Sequence, residues 1–345
     1  MNISNLKIGY LENPKIIAEI GINHEGSIDT AKRMAELAIE NGADIVKTQL
    51  HIPNEEMSDE AKKVIPQHTK DSIFQIMEDC SLSIDEEYDF KCFVESLGGI
   101  YLCTPFSAKA AEILGSFNIS AFKVGSGECN NPQVLKEISK YKKPTIISTG
   151  MNNLSSVERT YKLTKELNLE VIFMHTTNLY PTPHHLVRLG ALNELQNIVG
   201  IDNVGLSDHT TSNLACLGAV SLGAVILERH FTDSKERKGP DIINSMDPSD
   251  LKNLREQCDL MYQMRGGSKK DNIQEEDDTR NFAFATIVCT REILAGEEIT
   301  SLNTWPKRPG IGEINAWDHE KILGRKASRN LSKEEHIRWK DLEEK

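Results

Sequence analysis

Residues 204–241 read VGLSDHTTSNLACLGAVSLGAVILERHFTDSKERKGPD. The run opens with a short apolar strand over 204–207, turns through Asp208 and His209, and continues as a helix over 213–222. A second strand, 225–228, follows and delivers His230 at its end. His209 and His230 are separated by about one strand–helix–strand repeat, so both side chains emerge at the same edge of a parallel sheet. Two neutral imidazoles at one edge, with acids nearby, can hold a divalent cation. The plainer reading makes one histidine a helix cap and the other a satisfied residue near the core. Both readings stand until the rest of the chain is read.

Upstream, the same theme repeats: an apolar, β-rich run followed by an amphipathic helix. The strands fall at 16–21, 44–49, 100–106, 121–126, 145–150, 171–177, 204–208 and 225–231. Between the first two lies TAKRMAELAIENG, with Ala31, Met34, Ala35, Ala38 and Ile39 on one helical face and Gly42 as its stop. Strands apolar on both faces and alternating with helices imply a parallel sheet covered by helices. Eight such units over about 250 residues predict a TIM (β/α)8 barrel, an α/β fold. A doubly wound sheet is the structural alternative, but GINHEG is not its GxGxxG fingerprint. The connection over 50–83 is long for a barrel and reads as an irregular segment with one short helix, the kind of loop that binds or covers a site.

At 345 residues the chain exceeds the usual size of a single core, which predicts a large domain over 1–265, a charged linker over 266–280 and a small module over 281–345. Hydrophobic residues make up 39% and charged residues 27%, ordinary for a globular enzyme. No apolar run reaches membrane-spanning length, the N-terminal stretch has no signal-peptide pattern, and the seven cysteines are scattered without a CxxC pair. A reducing, cytoplasmic setting without nucleic-acid or membrane partners is expected. The net charge of −12 belongs to residues 1–280, since acids and bases balance in the tail. Cations for an anionic substrate must therefore be concentrated locally.

In a TIM barrel the chemistry sits at the carboxyl ends of the strands. Those ends carry Glu19, Asn23 and His24; Lys47 and Gln49; Thr104 and Phe106; Lys123, Ser126 and Glu128; Ser148 and Thr149; His175, Thr177, Asn178 and Tyr180; Ser207, Asp208 and His209; Glu228, His230 and Asp241. Burying Lys47 and Lys123 is costly unless anions meet them. With Ser126, Ser148, Ser207 and the neighbouring glycines they read as a phosphate and carboxylate cradle. Glu19, Glu128 and Asp241 supply carboxylates for hydroxyl binding or proton movement; Glu19 also reads as a simple ion-pair partner of Lys47. His24 and His175 are weaker candidates, His184 and His185 read as solvated, and the cysteines as small apolar fillers.

EIGINHEGS, VKTQ, MSDEAKKVIP, TPFS, FKVGSGECNN, STGM, HTTNLYPTP, GLSDHT, ERHFTD…GPD and KRPG, in this order from about Ile16 onward, resemble the N-acetylneuraminate (sialic acid) synthases. The resemblance implies a TIM barrel followed by an antifreeze-like (SAF) domain, and a homodimer in which each C-terminal domain covers the partner's barrel mouth. It implies metal-dependent condensation of phosphoenolpyruvate with N-acetylmannosamine and release of phosphate by C–O cleavage, with Mn2+ first and Mg2+ or Co2+ as substitutes. It implies metal ligation by His209 and His230, and phosphoenolpyruvate contacts from Lys47, Lys123, Ser126, Ser148, Asn178 and Ser207. Glu19 matches the acid at the reacting end; Gln49, Glu128, Tyr180, Asp241 and, from the partner, Arg308 match contacts to the acceptor sugar. Two departures stand out. Thr48 replaces the histidine of the usual KHQ strand, and Gln67-His68 stand where the family usually has Gly-Asn after VIP. They leave room for another acetamido sugar, giving a legionaminic- or pseudaminic-type acid. Outside the family, a Schiff-base aldolase using Lys123 or Lys47, or a binding protein built on an ice-binding-like tail, are the rival readings.

Overall fold

The computed structural model describes residues 1–65, 71–267 and 269–344; Gln67 and His68 lie outside them. The chain divides into two compact units, Met1–Gly266 and Gly267–Lys345.

In the first unit, eight parallel strands form one sheet: β1 (Lys15–Gly21), β2 (Ile45–Leu50), β3 (Ile100–Pro105), β4 (Phe122–Val124), β5 (Thr145–Ser148), β6 (Val171–Thr176), β7 (Val204–Asp208) and β8 (Ile226–His230). From β4 to β8 each strand pairs with the next, β8 pairs with β1, and β1 continues through β2 to β3. β3 and β4 lie side by side and complete the ring. This is a TIM barrel, with helices between successive strands. The expected strand boundaries hold to within a few residues, and His230 is the last residue of β8.

The helices form where caps and apolar faces coincide. Over Ile28–Glu40 the Ser27 hydroxyl accepts from the Thr30 amide, and Ala31, Met34, Ala35 and Ala38 are buried against the sheet. Such a cap contributes about 1 kcal/mol. Asp247 and Ser83 begin the helices Pro248–Arg265 and Ile84–Ser96 with reciprocal capping boxes. The long connection holds more structure than expected: helix Pro53–Glu56, a 3-10 turn at Asp59–Lys63 and helix Ile73–Cys80.

Two apolar layers stabilise the barrel. One lies between strands and helices. The other fills the barrel's lower interior with Ile17, Ile45, Leu102, Ala121, Ile146, Met174 and Ile226, closed from below by Ile3 and Ile8 of the N-terminal hairpin. Strand side chains alternate, so the residues two positions further along each strand also point inward, one layer higher. Those are Glu19, Lys47, Thr104, Lys123, Ser148, Thr176 and Glu228. The apolar floor and the polar layer above it share a single strand parity.

The second unit has its own core, including Ile287, Ile293, Ile299, Ile314, Ile322, Leu331 and Ile337, and an antiparallel strand pair, Thr286–Cys289 with Thr304–Lys307. The stretch expected to be a bare linker carries a 3-10 turn at Gln274–Glu276 and a helix, Asp277–Ala283. Acids in its first turn favour the helix N-terminus, and Asp277 pairs with Arg280 one turn on. Charge density without apolar periodicity hid this helix. Among the described residues no helix is long and apolar enough to cross a membrane.

Candidate active site

A cavity of about 290 Å3 opens at the carboxyl end of the barrel, lined among others by Glu19, Lys47, Gln49, Lys123, Ser126, Ser148, Asn178, Tyr180, Ser207, His209, Glu228 and His230. Every residue to which the resemblance gives a metal or phosphoenolpyruvate contact is in that lining. So are Glu19, Gln49 and Tyr180.

Strand pairing explains its central feature. Glu19 sits opposite Lys47, and the pairing of β1 with β2 slips just beyond it, between Glu19 and Gly21. Gly21 takes φ +56°, and a Cβ there would sit 3.3–3.5 Å from Glu19, Gln49 and His230. The Lys47 ammonium lies 2.7 Å from Glu19 and 3.8 Å from Glu228. Lys123 lies 3.8 Å from the other oxygen of Glu228 and donates to Ser148 Oγ at 2.6 Å. Ser207 Oγ donates to Glu228 at 2.9 Å. Two buried lysines thus meet two buried carboxylates. The anions that make Lys47 and Lys123 tolerable are Glu19 and Glu228, so the ion-pair reading of Glu19 holds without removing it from the cavity wall.

Burial works against the charges of Lys123, Lys47 and Glu228, and their partners decide the outcome. Burial pulls Lys123 down to about 8, with Glu228 offsetting part of it. Burial also opposes the Lys47 charge, yet Glu19 and Glu228 outweigh it and leave its pKa raised. Burial raises Glu228, but the two ammonium groups overcome that and hold it at about 2.

On the β5 side, Ser126 Oγ accepts from the Gly150 amide at 3.0 Å. A Cβ on Gly150 would overlap the Asn178 amide, so glycine is what lets that side chain in. Asn178 Oδ1 is buried without a hydrogen-bond partner, an acceptor held free at the cavity wall.

Opposite stand the histidines, with ring centroids 5.4 Å apart. His209 Nδ1–H donates to the Thr177 carbonyl at 2.9 Å, which leaves the Nε2 lone pair free. Burial, reinforced by His230, pulls the His209 pKa down to about 3, so the ring is neutral at ordinary pH, the form a metal requires. His230 Nδ1 is buried with no hydrogen-bond partner, and Asp241 lies 3.6 Å from it. Tyr180 stacks on His209, centroids 4.2 Å apart, and meets His230 edge-on. The pair fits a divalent cation as a two-ligand site. Among the described residues no set of three or more His, Cys, Asp or Glu gathers to hold one, so water or substrate would complete the shell.

Other candidates fall elsewhere. Glu128 is half-buried in the loop after β4 and accepts from Asn131, outside the cavity lining. Asp241 is also outside that lining and lies beside it, 3.6 Å from His230. Arg308 is exposed and belongs to the second unit. His24 accepts from the Gly26 amide within its own turn, and burial lowers its pKa to about 4. His175 donates to the Val187 carbonyl and lines a different cavity. Asp208 faces outward to Thr210 and Arg229. Cys80 and Cys92 are not buried, so they fill no core. Thr48 hydrogen-bonds Glu87 behind β2, where Tyr101 also donates to Glu87 at 2.6 Å. Glu228 is the charged lining residue to which the sequence assigned no role. Its signal was parity: it precedes His230 by two, as Ser207 precedes His209.

A family profile described as NeuB family matches residues 34–270, and one described as SAF domain matches 285–343. The chain belongs to the NeuB family. Among its relatives, an N,N'-diacetyllegionaminic acid synthase of Campylobacter jejuni is 34% identical over 94% of this chain and 98% of its own. An N-acetylneuraminate-9-phosphate synthase of Mus musculus is 31% identical over 83% of this chain and 80% of its own. The same fold appears in the crystal structure of an N-acetylneuraminic acid (sialic acid) synthetase from Leptospira borgpetersenii, with a TM-score of 0.74 at 23% identity over 81% of this chain and 94% of that one. NeuB-family relatives thus include synthases of several sugar acids of the sialic acid type.

Proposed function

We propose that this chain joins phosphoenolpyruvate to the open-chain aldehyde of N-acetylmannosamine, giving N-acetylneuraminate and phosphate. One observation carries the reading: two lysines, three serines and a free amide oxygen share one cavity with two histidines and Glu19. That is the equipment for an anionic enol phosphate beside an aldehyde. C3 of phosphoenolpyruvate attacks the aldehyde carbon, the new alkoxide takes a proton, and water adds to the cationic C2 with loss of a proton. The C2–O bond to phosphate then breaks, phosphate leaves with the electron pair and takes up the C2 hydroxyl proton, and C2 becomes a ketone.

Lys47 and Lys123 hold the phosphate and carboxylate charges, Ser126, Ser148, Ser207 and Asn178 orient them, and Glu19 handles the proton of the attacking water. A divalent cation held by His209 and His230, manganese by preference, would polarise the aldehyde oxygen. Gln49 and Tyr180 in the wall, Glu128 and Asp241 nearby, and Arg308 from a partner subunit in a domain-swapped homodimer would bind the sugar.

A second reading has the same chemistry on a 2,4-diacetamido sugar. It is favoured by the Campylobacter relative, which aligns over more of this chain than the Mus relative does. The test is phosphate release from phosphoenolpyruvate with N-acetylmannosamine and with diacetamido sugars, before and after EDTA and with Mn2+ restored. Release with N-acetylmannosamine supports the first reading, and release only with diacetamido sugars the second. No release with any sugar, or a borohydride-trapped pyruvate adduct on Lys123 or Lys47, overturns both.

A further inference from the structure

The parity that places Lys47 and Gln49 in the cavity continues one step further, to His51. This residue follows the end of β2, is buried, and is not among those lining the cavity. Its ring stacks on Phe106, centroids 4.2 Å apart and planes 18° from parallel. Nε2 lies 3.0 Å from Gln49 Oε1, and Nδ1 lies 2.9 Å from Glu56 Oε1. Gln49 Nε2 in turn donates to Glu19 Oε1 at 2.7 Å, and the other oxygen of Glu19 meets Lys47 at 2.7 Å.

The direction of each bond follows from its neighbour. Glu19, paired with Lys47, offers only acceptors, so Gln49 must turn its NH2 toward it. That leaves the amide oxygen facing His51, so Nε2 carries a proton and donates. On the far side, one proton is shared between Nδ1 and Glu56. The Glu56 side chain is 4% exposed, its second oxygen has no hydrogen-bond partner, and His51 is its ion-pair partner among the described residues. The ring is therefore clamped by a stacking face and two hydrogen bonds. A flipped Gln49 amide would face oxygen to oxygen with Glu19 and NH2 to N–H with His51, and buried mismatches of that kind are costly.

We propose that His51, backed by Glu56, is a positioning residue for the reaction: it locks the Gln49 amide, and through it the Glu19 carboxylate, in the orientation the acceptor meets. Its position off the cavity wall means that it acts through Gln49 and not by touching substrate. The helix Pro53–Glu56 at the start of the long connection thereby gains a function, carrying Glu56 to the back of the ring. The inference rests on the reaction proposed above.

The test compares His51→Phe, which keeps a ring to stack on Phe106 but cuts the string, with His51→Gln, which restores a donor at the same reach. In His51→Phe, kcat/KM for the acceptor falls about 10- to 100-fold while KM for phosphoenolpyruvate stays within about twofold. His51→Gln recovers a substantial part. On a Gln49→Ala background, His51→Phe has little further effect. A His51→Phe loss undiminished in the Gln49→Ala protein, or an equal rise in both KM values, overturns the proposal. One arm needs no substrate and stands even if no sugar supports phosphate release. The side-chain amide protons of Gln49, followed by NMR, exchange at least about tenfold faster in His51→Phe than in the native protein. Unchanged exchange overturns the proposal whatever the reaction is.

Discussion

Glu228→Gln removes one charge from the buried set of four. Glu228 Oε1 and Lys123 Nζ are 3.8 Å apart, and both side chains are at most 7% exposed. At an effective dielectric of about 20, a pair at that distance interacts by about 4 kcal/mol, which biases the lysine toward the neutral amine by roughly three decades. With Glu228 in place, burial leaves Lys123 at about 8. In the native protein at pH 7 about nine tenths of it is therefore ammonium; in the variant nearly all is neutral until an anion arrives. Phosphoenolpyruvate binding should then draw a proton onto Lys123. Calorimetric titration at pH 7, in two buffers of different ionisation enthalpy, reads the number of protons taken up per ligand. The variant should take up close to one more than the native protein. Equal uptake would show that Glu19 alone keeps Lys123 charged, and the account of Glu228 as its partner would be wrong.

His209→Ala and His230→Ala should each abolish phosphate release while circular dichroism stays native, and undiminished turnover in excess EDTA would defeat the metal role assigned to the pair. Arg308→Ala should raise the acceptor KM more than that of phosphoenolpyruvate. Co-expressing Arg308→Ala with His209→Ala subunits should restore one working site per mixed dimer, and no restoration would place Arg308 in its own subunit's site. Glu87, buried behind β2, is raised to about 7 by desolvation, against the hydrogen bonds from Thr48 and Tyr101. Between the unfolded carboxylate's pKa and that value the folded state binds the extra proton, so stability falls as pH rises through the window and is flat above it. Urea unfolding at pH 5 and pH 8 should show a loss on the order of 2–3 kcal/mol from this group, absent in Glu87→Gln; the same pH dependence in both proteins would assign it elsewhere.

Strand count, helix faces and the glycine stop at Gly42 were legible in the chain because each is a local pattern. Alternation put Lys47 beside Gln49 and Ser207 beside His209 in strand parity, and the apolar stripe Ala31, Met34, Ala35, Ala38 declared its helix. The helix at 277–283 was missed because its ordering comes from end charges and a turn-spaced ion pair, not from an apolar face. Glu228 was read as one more polar strand end. Its importance appears only when Lys47 and Lys123, from strands far apart in sequence, are seen to share it.

By itself, the order of residues determined an eight-stranded barrel with a polar rim, a trailing module, and two histidines at one edge, because strand period and helix period are written along the chain. Which charges pair was left to the closed ring. Closure sets β8 against β1 and brings Glu228 between two lysines, and the slip at Gly21 brings Glu19 and Gln49 together. His51 became more than a buried ring only when the first turn of the long connection folded Glu56 behind it. Hydrogen bonds and ion pairs act over a few ångströms, and those separations exist only after the barrel has closed.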